Sequence, residues 1–153
     1  MIDLSPPVIE IFNESGEEIT LSQKQAERIL NFISKKEQAS FAFVEVVYVD
    51  ESEIERINKE HLDRDYITDI ISFRYDEEQE QKTQSDIEGT LFCCAQRIKE
   101  QAAEFDETQE REFQRILIHG LLHLIGYEDS SKQEKEKMTD LENKYLSFFE
   151  TNI

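Results

Sequence analysis

The chain has 153 residues, and its four Gly and two Pro exclude a collagen-like, linker-rich or low-complexity sequence. With 38% hydrophobic residues, ten Phe and five Tyr, it can fill one core, so we expect residues 1–153 to form a single domain. The 35 acidic residues outnumber the 17 basic ones and give a net charge of −18. This charge disfavours non-specific binding to nucleic acids and to anionic membranes, but it permits a local basic groove or a bound metal ion.

The sequence predicts a cytoplasmic protein. No apolar run approaches the roughly 20 residues that span a membrane, and the first seven residues lack the basic region of a signal peptide. The two cysteines, Cys93 and Cys94, are adjacent and are not expected to bridge each other. A reducing cytoplasm suits such a pair. The acidic net charge and the lack of an apolar spanning run predict no membrane partner.

The first half of the chain alternates between strand and helix patterns. Strands are predicted over Val8–Phe12, Phe41–Val49 and Ile70–Phe73. Ser22 and Gln25 have the spacing of a capping box, and apolar residues follow at helical intervals. Asp50 can cap a second, short helix with Ile54 and Ile57 on one face. The acidic stretch 76–86 is predicted to be an exposed loop.

The second half of the chain predicts one more strand, from about Ile87 to Cys93, followed by three helices. The first helix carries Ala95, Ile98, Ala102 and Phe105 on one stripe. The second runs from about Thr108 to Ile125, is apolar on nearly every side, and stops at Gly126. The third begins near Ser131 and is expected to bury Met138, Leu141, Tyr145 and Phe148. The pattern predicts an α+β fold, a small mixed β-sheet covered by helices with a central buried helix.

Two histidines on that central helix predict a metal site. His119 and His123 are four residues apart, so they project from one helix face and can bind one ion. Gly126 then turns the chain, and Asp129 can return to the same face. Two imidazoles and a carboxylate with an open fourth position are typical of a catalytic zinc site. The alternatives are that both histidines are hydrogen-bonded core residues, or that Glu128 replaces Asp129 as a ligand.

The run from His119 to Asp129 resembles the signature of the YbeY family of endoribonucleases, H-G-x-L-H-L-x-G-Y-D-H. A second stretch of that family, L-N-x-x-Y-R-x-x-D-x-P-T-D-V-L-S-F, is similar to residues 57–73 of this chain. The positions that match the two stretches or the family's other preferences are Ile57, Asn58, Asp65, Thr68–Phe73, Gln101, Ala102, His119, Gly120, Leu122, His123, Leu124, Gly126, Tyr127, Met138 and Glu142. The resemblance implies a zincin-like arrangement of the central helix.

Four of this chain's departures from the family pattern bear on the predicted site. The third metal-binding His of the family falls on Asp129, and the family Arg that is important for activity falls on Leu62. The aromatic residue that precedes that Arg falls on His61, and an Asp of the family falls on Thr90. In place of that Arg, the nearby Arg64 can reach the RNA phosphate that the family Arg would contact, unless the turn of the chain directs Arg64 elsewhere. Lys59 and Arg74 are further candidates for a phosphate-binding patch.

The resemblance implies a zinc-dependent endoribonuclease specific for single-stranded RNA, with one Zn²⁺ per chain held by His119, His123 and Asp129. The catalytic candidates are His119 and Arg64. The implied role is maturation of the 3′ end of small-subunit ribosomal RNA and ribosome quality control. RNA and the ribosome or its small subunit are the expected partners, and DNA and membranes are not. One alternative is a zinc peptidase, but Gly120 occupies the position where H-E-x-x-H peptidases carry their Glu base. The other is a non-catalytic ribosome-associated factor with a structural metal.

Overall fold

The computed structural model describes residues 8–64, 67–75 and 84–151. Within these ranges the elements follow the predicted order of strands and helices. They are β1 (Ile9–Asn13), α1 (Gln23–Glu37), β2 (Phe41–Val49), α2 (Glu51–Leu62), β3 (Ile70–Arg74), β4 (Ile87–Cys94), α3 (Ala95–Glu104), α4 (Gln109–Ile125) and α5 (Lys132–Thr151). The predicted α+β class with a small mixed sheet is confirmed.

The four described strands form one sheet in the order β1-β2-β4-β3. β1, β2 and β4 run parallel, with Ile9 opposite Val44 and Val44 opposite Gly89. β3 runs antiparallel to β4, with Ile70 opposite Cys93. Parallel neighbours need long crossovers, and α1 and α2 lie in these connections. The antiparallel β3 forms one edge of the sheet, and this edge borders the functional site.

Side chains on the central strand β2 alternate between two apolar clusters on opposite faces of the sheet. Val44, Val46 and Tyr48 join the larger cluster, which also takes in buried residues of α1, α3, α4 and α5. Val47 and Val49 join the smaller cluster, which includes Ile54 and Ile57 of α2. The sheet is therefore covered by helices on both faces, as the alternation of a buried strand requires.

The cap residues predicted from the sequence begin the helices. Ser22 and Gln25 form a reciprocal capping box at the start of α1, and Asp50 accepts a hydrogen bond from the Glu53 N–H at the start of α2. Thr108 accepts from the Arg111 N–H at 3.1 Å and begins α4. Ten residues of α4 are buried, in agreement with a central helix.

Two aromatic residues are exposed, although Phe105 was placed on the apolar stripe of its helix and Phe148 was predicted to be buried. Phe105 follows the last residue of α3, where the backbone leaves helical geometry, and it is 65% exposed. Phe148 is 37% exposed and stacks on Phe32, whereas Phe149 takes the buried position. β1 also begins one residue later than predicted, since Val8 is exposed.

Some expectations lie outside the described residues. Residues 76–83 of the predicted acidic loop, the first seven residues and Asp65 are in this group. Among the helices in ranges 8–64, 67–75 and 84–151, none has both the length and the apolarity that crossing a bilayer requires.

Candidate metal centre

The C-terminal half of α4 brings two imidazole rings together beside the sheet. His119 and His123 are one helical turn apart, and their ring centroids lie 4.5 Å from each other in an edge-to-face arrangement. Their side chains are 20% and 21% exposed, although the neighbouring α4 residues Leu121, Leu122 and Leu124 are buried. The alternative of two enclosed core histidines therefore does not fit, because both rings reach a solvent-accessible cleft.

A turn after α4 places Asp129 opposite the two rings. Gly126 adopts a φ of 131°, which favours glycine, and its N–H bonds back to the carbonyl oxygens of Leu122 and His123 at 3.1 Å. Beyond this turn the Oδ2 atom of Asp129 lies 3.4 Å from the Nε2 atom of His119 and 3.4 Å from the Nε2 atom of His123. The sequence prediction that the turn returns an acid to the His face is confirmed.

The distances among these three side chains fit a tetrahedral ion. Ligand atoms of His119, His123 and Asp129 all lie within 4.8 Å of one another. Two ligands bound at the zinc distances of about 2.0–2.1 Å in tetrahedral geometry are about 3.3–3.4 Å apart. The 3.4 Å separations from Asp129 to each ring match that value. Two imidazoles and one carboxylate are also an established donor set for open zinc sites. The three residues can therefore hold a metal ion and leave a coordination position toward the cleft.

Carboxylates surround His119 and make its environment favourable to a cation. The Nδ1 atom of His119 donates a hydrogen bond to Oε2 of Glu142 at 2.6 Å. Burial of the ring lowers the pKa of His119, but the hydrogen bond and charge of Glu142 raise it, and the charges of Asp69 and Asp129 add to that effect. The pKa of His119 consequently lies above its ordinary value. The same field that favours a protonated imidazole also favours a metal cation at this position.

The ligand set opens on a cleft of about 480 Å³ between β3, the end of α2 and the turn that follows α4. Polar and charged side chains form much of its lining. They include Arg64, Thr68, Asp69, Ser72, Arg74, His119, His123, Glu128, Asp129, Ser130 and Lys135. A cleft with such walls suits a polar, charged substrate better than an apolar one.

Arg64 reaches this cleft because of the turn that ends α2. Asp63 adopts the left-handed conformation with a φ of 54°, and the Arg64 N–H bonds back to the carbonyl oxygen of Asn58 at 3.2 Å. This turn leaves Arg64 on the cleft wall beside Leu62, which is 38% exposed. The position that corresponds to the family Arg is therefore also at the cleft and open to solvent.

The other two basic candidates do not form a phosphate patch with Arg64. The Arg74 guanidinium is 6% exposed and donates to the Leu124 carbonyl oxygen at 2.8 Å, so it has a structural partner. Lys59 is not among the described residues that line the cleft. Lys135, on the first turns of α5, does line it, although the sequence analysis did not single it out. The only feature of the sequence that could have indicated a place for Lys135 at the cleft was its position one helical turn after Ser131.

Four other residues that the sequence analysis named lie outside the ligand set. His61 packs edge-to-face against Phe73 at 5.5 Å between ring centroids, as expected of a residue in place of an aromatic. Glu128 lines the cleft, but the cluster of possible ligands in the described chain includes Asp129 instead. Cys93 and Cys94 are free and buried, and burial raises the pKa of the Cys93 thiol. A thiol in that state is a poor ligand.

Gly120 lies against the sheet and not toward the cleft. A Cβ atom at this position would come within 2.7 Å of Leu91 Cδ1 and 2.8 Å of Ile70 Cδ1. The side chain of Leu91 is fully buried. A glutamate at position 120 would therefore be forced into the apolar interface between α4 and β4. The chain lacks the general base of H-E-x-x-H peptidases and has no room for one there, which counts against the peptidase alternative.

Comparisons with known proteins agree with the motifs described above. A sequence model described as "Endoribonuclease YbeY" matches residues 10–150. Proteins named Endoribonuclease YbeY from Chloroherpeton thalassium and Bacillus subtilis are 34% and 32% identical to this chain. The first alignment covers 83% of this chain and 86% of the relative, and the second covers 93% and 95%. The solution structure of a Thermotoga maritima protein is similar with a TM-score of 0.60 and 29% identity, covering 94% of this chain and 93% of that one.

Proposed function

Because the chain belongs to the YbeY family of endoribonucleases, we propose that it cleaves single-stranded RNA at a zinc ion held by His119, His123 and Asp129. These three residues would bind one zinc ion per chain. We further propose that residues 1–153 act as one domain in the maturation of the 3′ end of small-subunit ribosomal RNA and in ribosome quality control. The match across residues 10–150 supports the single domain.

The observation that carries this proposal is the open metal geometry at the wall of a polar cleft. Asp129 Oδ2 lies 3.4 Å from the Nε2 atoms of His119 and His123, the spacing expected of two ligands on a tetrahedral ion, and all three side chains remain partly exposed. A structural metal is usually enclosed by four protein ligands. Here three side chains would hold the ion beside a polar cleft, and the fourth ligand would come from water or substrate, which favours catalysis over the role of a non-catalytic ribosome-associated factor.

The charges in the cleft explain how an acidic protein could bind RNA. Of the described residues on its walls, three are basic and three are acidic: Arg64, Arg74, Lys135, Asp69, Glu128 and Asp129. These formal charges cancel, so a divalent ion makes the cleft positive by two units. We therefore expect the affinity for RNA to depend on the metal, in addition to any effect on the chemical step.

The residues of the chain have separable roles in this scheme. The zinc ion, when bound, supplies Lewis-acid chemistry at the scissile phosphate. His119 and His123 orient that ion from the rigid face of α4, and Asp129 completes the ligand set from the turn. Arg64 donates charge-assisted hydrogen bonds to a phosphate oxygen and stabilises charge that develops during cleavage. Lys135 binds a neighbouring phosphate from α5.

The proposed partners are single-stranded ribosomal RNA precursors and the ribosome or its small subunit, without DNA or membranes. We propose a cytoplasmic location, which suits two cysteines that are both free. Ribosome association can be measured by cosedimentation of the protein with small subunits.

A nuclease assay tests the activity directly. Purified protein is incubated with a fluorescent single-stranded RNA, and with a labelled peptide as a comparison, before and after zinc is restored to chelated protein. We expect cleavage of RNA that needs zinc and disappears in His119→Ala and His123→Ala, with the peptide intact.

Two variants sharpen the assay. Lys135→Ala is expected to raise the KM for RNA and to leave the zinc content at one per chain, since Lys135 is outside the ligand set. Lys132→Ala, on the same helix but not among the described cleft residues, serves as the matched control. Zinc-dependent peptide hydrolysis without RNA cleavage, or RNA cleavage that persists in His119→Ala, would contradict the proposed function.

A further inference from the structure

The contact between Glu142 and His119 joins α5 to the metal centre. Glu142 Oε2 accepts a hydrogen bond from His119 Nδ1 at 2.6 Å, and the two residues are 23 positions apart in the sequence. The Glu142 side chain is only 9% exposed. Water therefore competes little for this carboxylate, so the hydrogen bond holds the imidazole ring in one orientation.

A buried carboxylate needs a compensating charge, and Arg115 supplies it. Its Nη1 atom lies 3.3 Å from Oε1 of Glu142, and its Nε atom lies 3.7 Å from Oε1 of Glu112. Arg115 is one turn before His119 on α4. Glu142 thus uses one oxygen for the arginine and the other for the histidine, and the set of Glu112, Arg115 and Glu142 retains one net negative charge beside the ring.

This arrangement determines which nitrogen of His119 is available to a metal. An ionised carboxylate only accepts hydrogen bonds, so the proton of the neutral imidazole lies on Nδ1. The lone pair is then on Nε2, the atom that lies 3.4 Å from Asp129 Oδ2. Glu142 itself is not in the group of possible ligands found among the described residues. It acts on the metal through His119.

We propose that Glu142 is a positioning residue that fixes the tautomer and orientation of His119 for metal binding, with Arg115 holding Glu142 in place. The proposal rests on the proposed metal site and goes beyond it, since neither a ligand role nor a catalytic role explains the partly buried ion pair of Glu142 with Arg115 beside the ring. Partners of this kind orient metal-binding histidines and raise their basicity, and losing one typically lowers metal affinity about 10- to 100-fold.

The test measures metal affinity on protein without RNA. Chelated protein is titrated with Zn²⁺ against a competing chelator, and the visible absorption of the Co²⁺-loaded protein reports the coordination geometry. Glu142→Gln keeps an acceptor oxygen but removes the charge, and Glu142→Ala removes both. We expect affinity to fall about 10-fold or more in Glu142→Gln and further, toward 100-fold, in Glu142→Ala, with an altered Co²⁺ spectrum.

Control variants separate this proposal from the site itself. Glu136→Gln is the same change at an exposed position of α5 and is expected to bind zinc as the wild type does. His119→Ala tests the ligand. If His119→Ala loses zinc while both Glu142 variants keep wild-type affinity and spectrum, the positioning role is wrong and the metal site stands. If His119→Ala binds zinc as tightly as the wild type, the ligand assignment and the inference both fail. Glu142→Gln carries the test if Glu142→Ala does not fold.

Discussion

Arg74 and Leu124 join the edge strand of the sheet to the last turn of the central helix. The guanidinium Nη1 of Arg74 donates to the Leu124 carbonyl oxygen at 2.8 Å across 50 residues of sequence, in a buried setting. A cation at a helix C-terminus satisfies one of the last carbonyl groups and interacts favourably with the helix dipole. This contact positions α4, and hence the two histidines, against β3.

We predict that Arg74→Met destabilises the fold. A hydrogen bond from a charged donor contributes about 1.5–3 kcal/mol, so the free energy of unfolding should fall by about that amount. Urea denaturation of metal-free protein measures it. Arg56→Met is the control, because the ion pairs of Arg56 with Glu53 and Glu60 are exposed and screened by solvent, so this change should leave stability nearly unaltered. If Arg74→Met left stability unchanged and weakened RNA binding, Arg74 would instead be assigned to the binding of RNA phosphates.

Leu62→Arg should raise the cleavage rate on single-stranded RNA. Leu62 is 38% exposed at the cleft, so an arginine there can extend into solvent without entering the core. A guanidinium that stabilises developing charge is worth about 10-fold or more in kcat. Leu62→Met controls for side-chain length. Arg64→Ala should lower kcat in the wild-type background and lower it less in Leu62→Arg. If Leu62→Arg and Arg64→Ala both cleaved RNA at the wild-type rate, the side chains at positions 62 and 64 would have no part in the reaction.

Asp129→Ala should weaken zinc binding more than Glu128→Ala does. Asp129 Oδ2 lies at the ligand spacing from both rings, whereas Glu128 is outside the ligand group. Chelator competition should give near wild-type affinity for Glu128→Ala and a loss of at least about 10-fold for Asp129→Ala. Asp129→His should recover the binding, since imidazole is an equally suitable ligand. If Glu128→Ala lost more zinc affinity than Asp129→Ala, the third ligand would be Glu128.

Gly89→Ala should lower the free energy of unfolding by about 1–3 kcal/mol, the usual cost of overpacking. A Cβ at this position would lie 2.6 Å from the Phe73 carbonyl oxygen and 2.7 Å from Leu124 Cδ2. A backbone carbonyl in the β3–β4 ladder cannot move aside as easily as a side chain. Glu88→Ala, at an exposed neighbour on the same strand, should change stability by no more than about 0.5 kcal/mol. Equal unfolding curves for both variants would contradict this close packing.

Tyr127 should make stability depend on pH in the alkaline range. Its hydroxyl donates to Glu37 Oε1 at 2.6 Å, and this hydrogen bond, followed by burial and the charge of Glu37, raises the pKa of Tyr127 to about 12. The phenol must keep its proton to donate. Its contribution is therefore fully present below the unfolded pKa of about 10 and is lost as pH rises toward 12.

The matching measurement compares the wild type with Tyr127→Phe by urea denaturation at several pH values. Near pH 9 the variant should be less stable by about 1 kcal/mol, a typical hydrogen-bond contribution. That gap should narrow steadily between about pH 10 and 12 as the wild type loses its phenol proton. A gap that stays constant over this range would show that the Tyr127 hydroxyl does not titrate against the contact with Glu37.

Local patterns were sufficient to predict most elements, the central helix and the proximity of the three side chains proposed as metal ligands. Helical spacing alone places His119 and His123 together, and the glycine at 126 indicates the turn that returns Asp129. The burial of Phe148 and the place of Phe105 on the α3 stripe were predicted wrongly, because extending a helical stripe assumes that the helix and its covering neighbours continue. The structure instead ends α3 before Phe105 and turns Phe148 toward Phe32.

Contacts between distant segments could not be read from spacing. Arg74 looked like a free basic residue, yet its partner is a backbone carbonyl on α4. Lys135 and Arg64 come from segments far apart in sequence, and only the folded chain puts them on the walls of one cleft. The motif comparison included Glu142, but its hydrogen bond to His119 depends on how α4 and α5 cross.

The pairing of Tyr145 with Glu37, 108 residues apart, contrasts with the 23 residues that separate His119 from Glu142. Bringing distant segments together costs more chain entropy than closing a short loop, and non-local contacts slow folding. The α4–α5 hairpin can therefore assemble early around its own contacts, while α1 docks on α5 late. We expect hydrogen exchange during refolding to protect α4 before α1. The part of the chain that holds the proposed ligands would then be organised before the tertiary structure is complete.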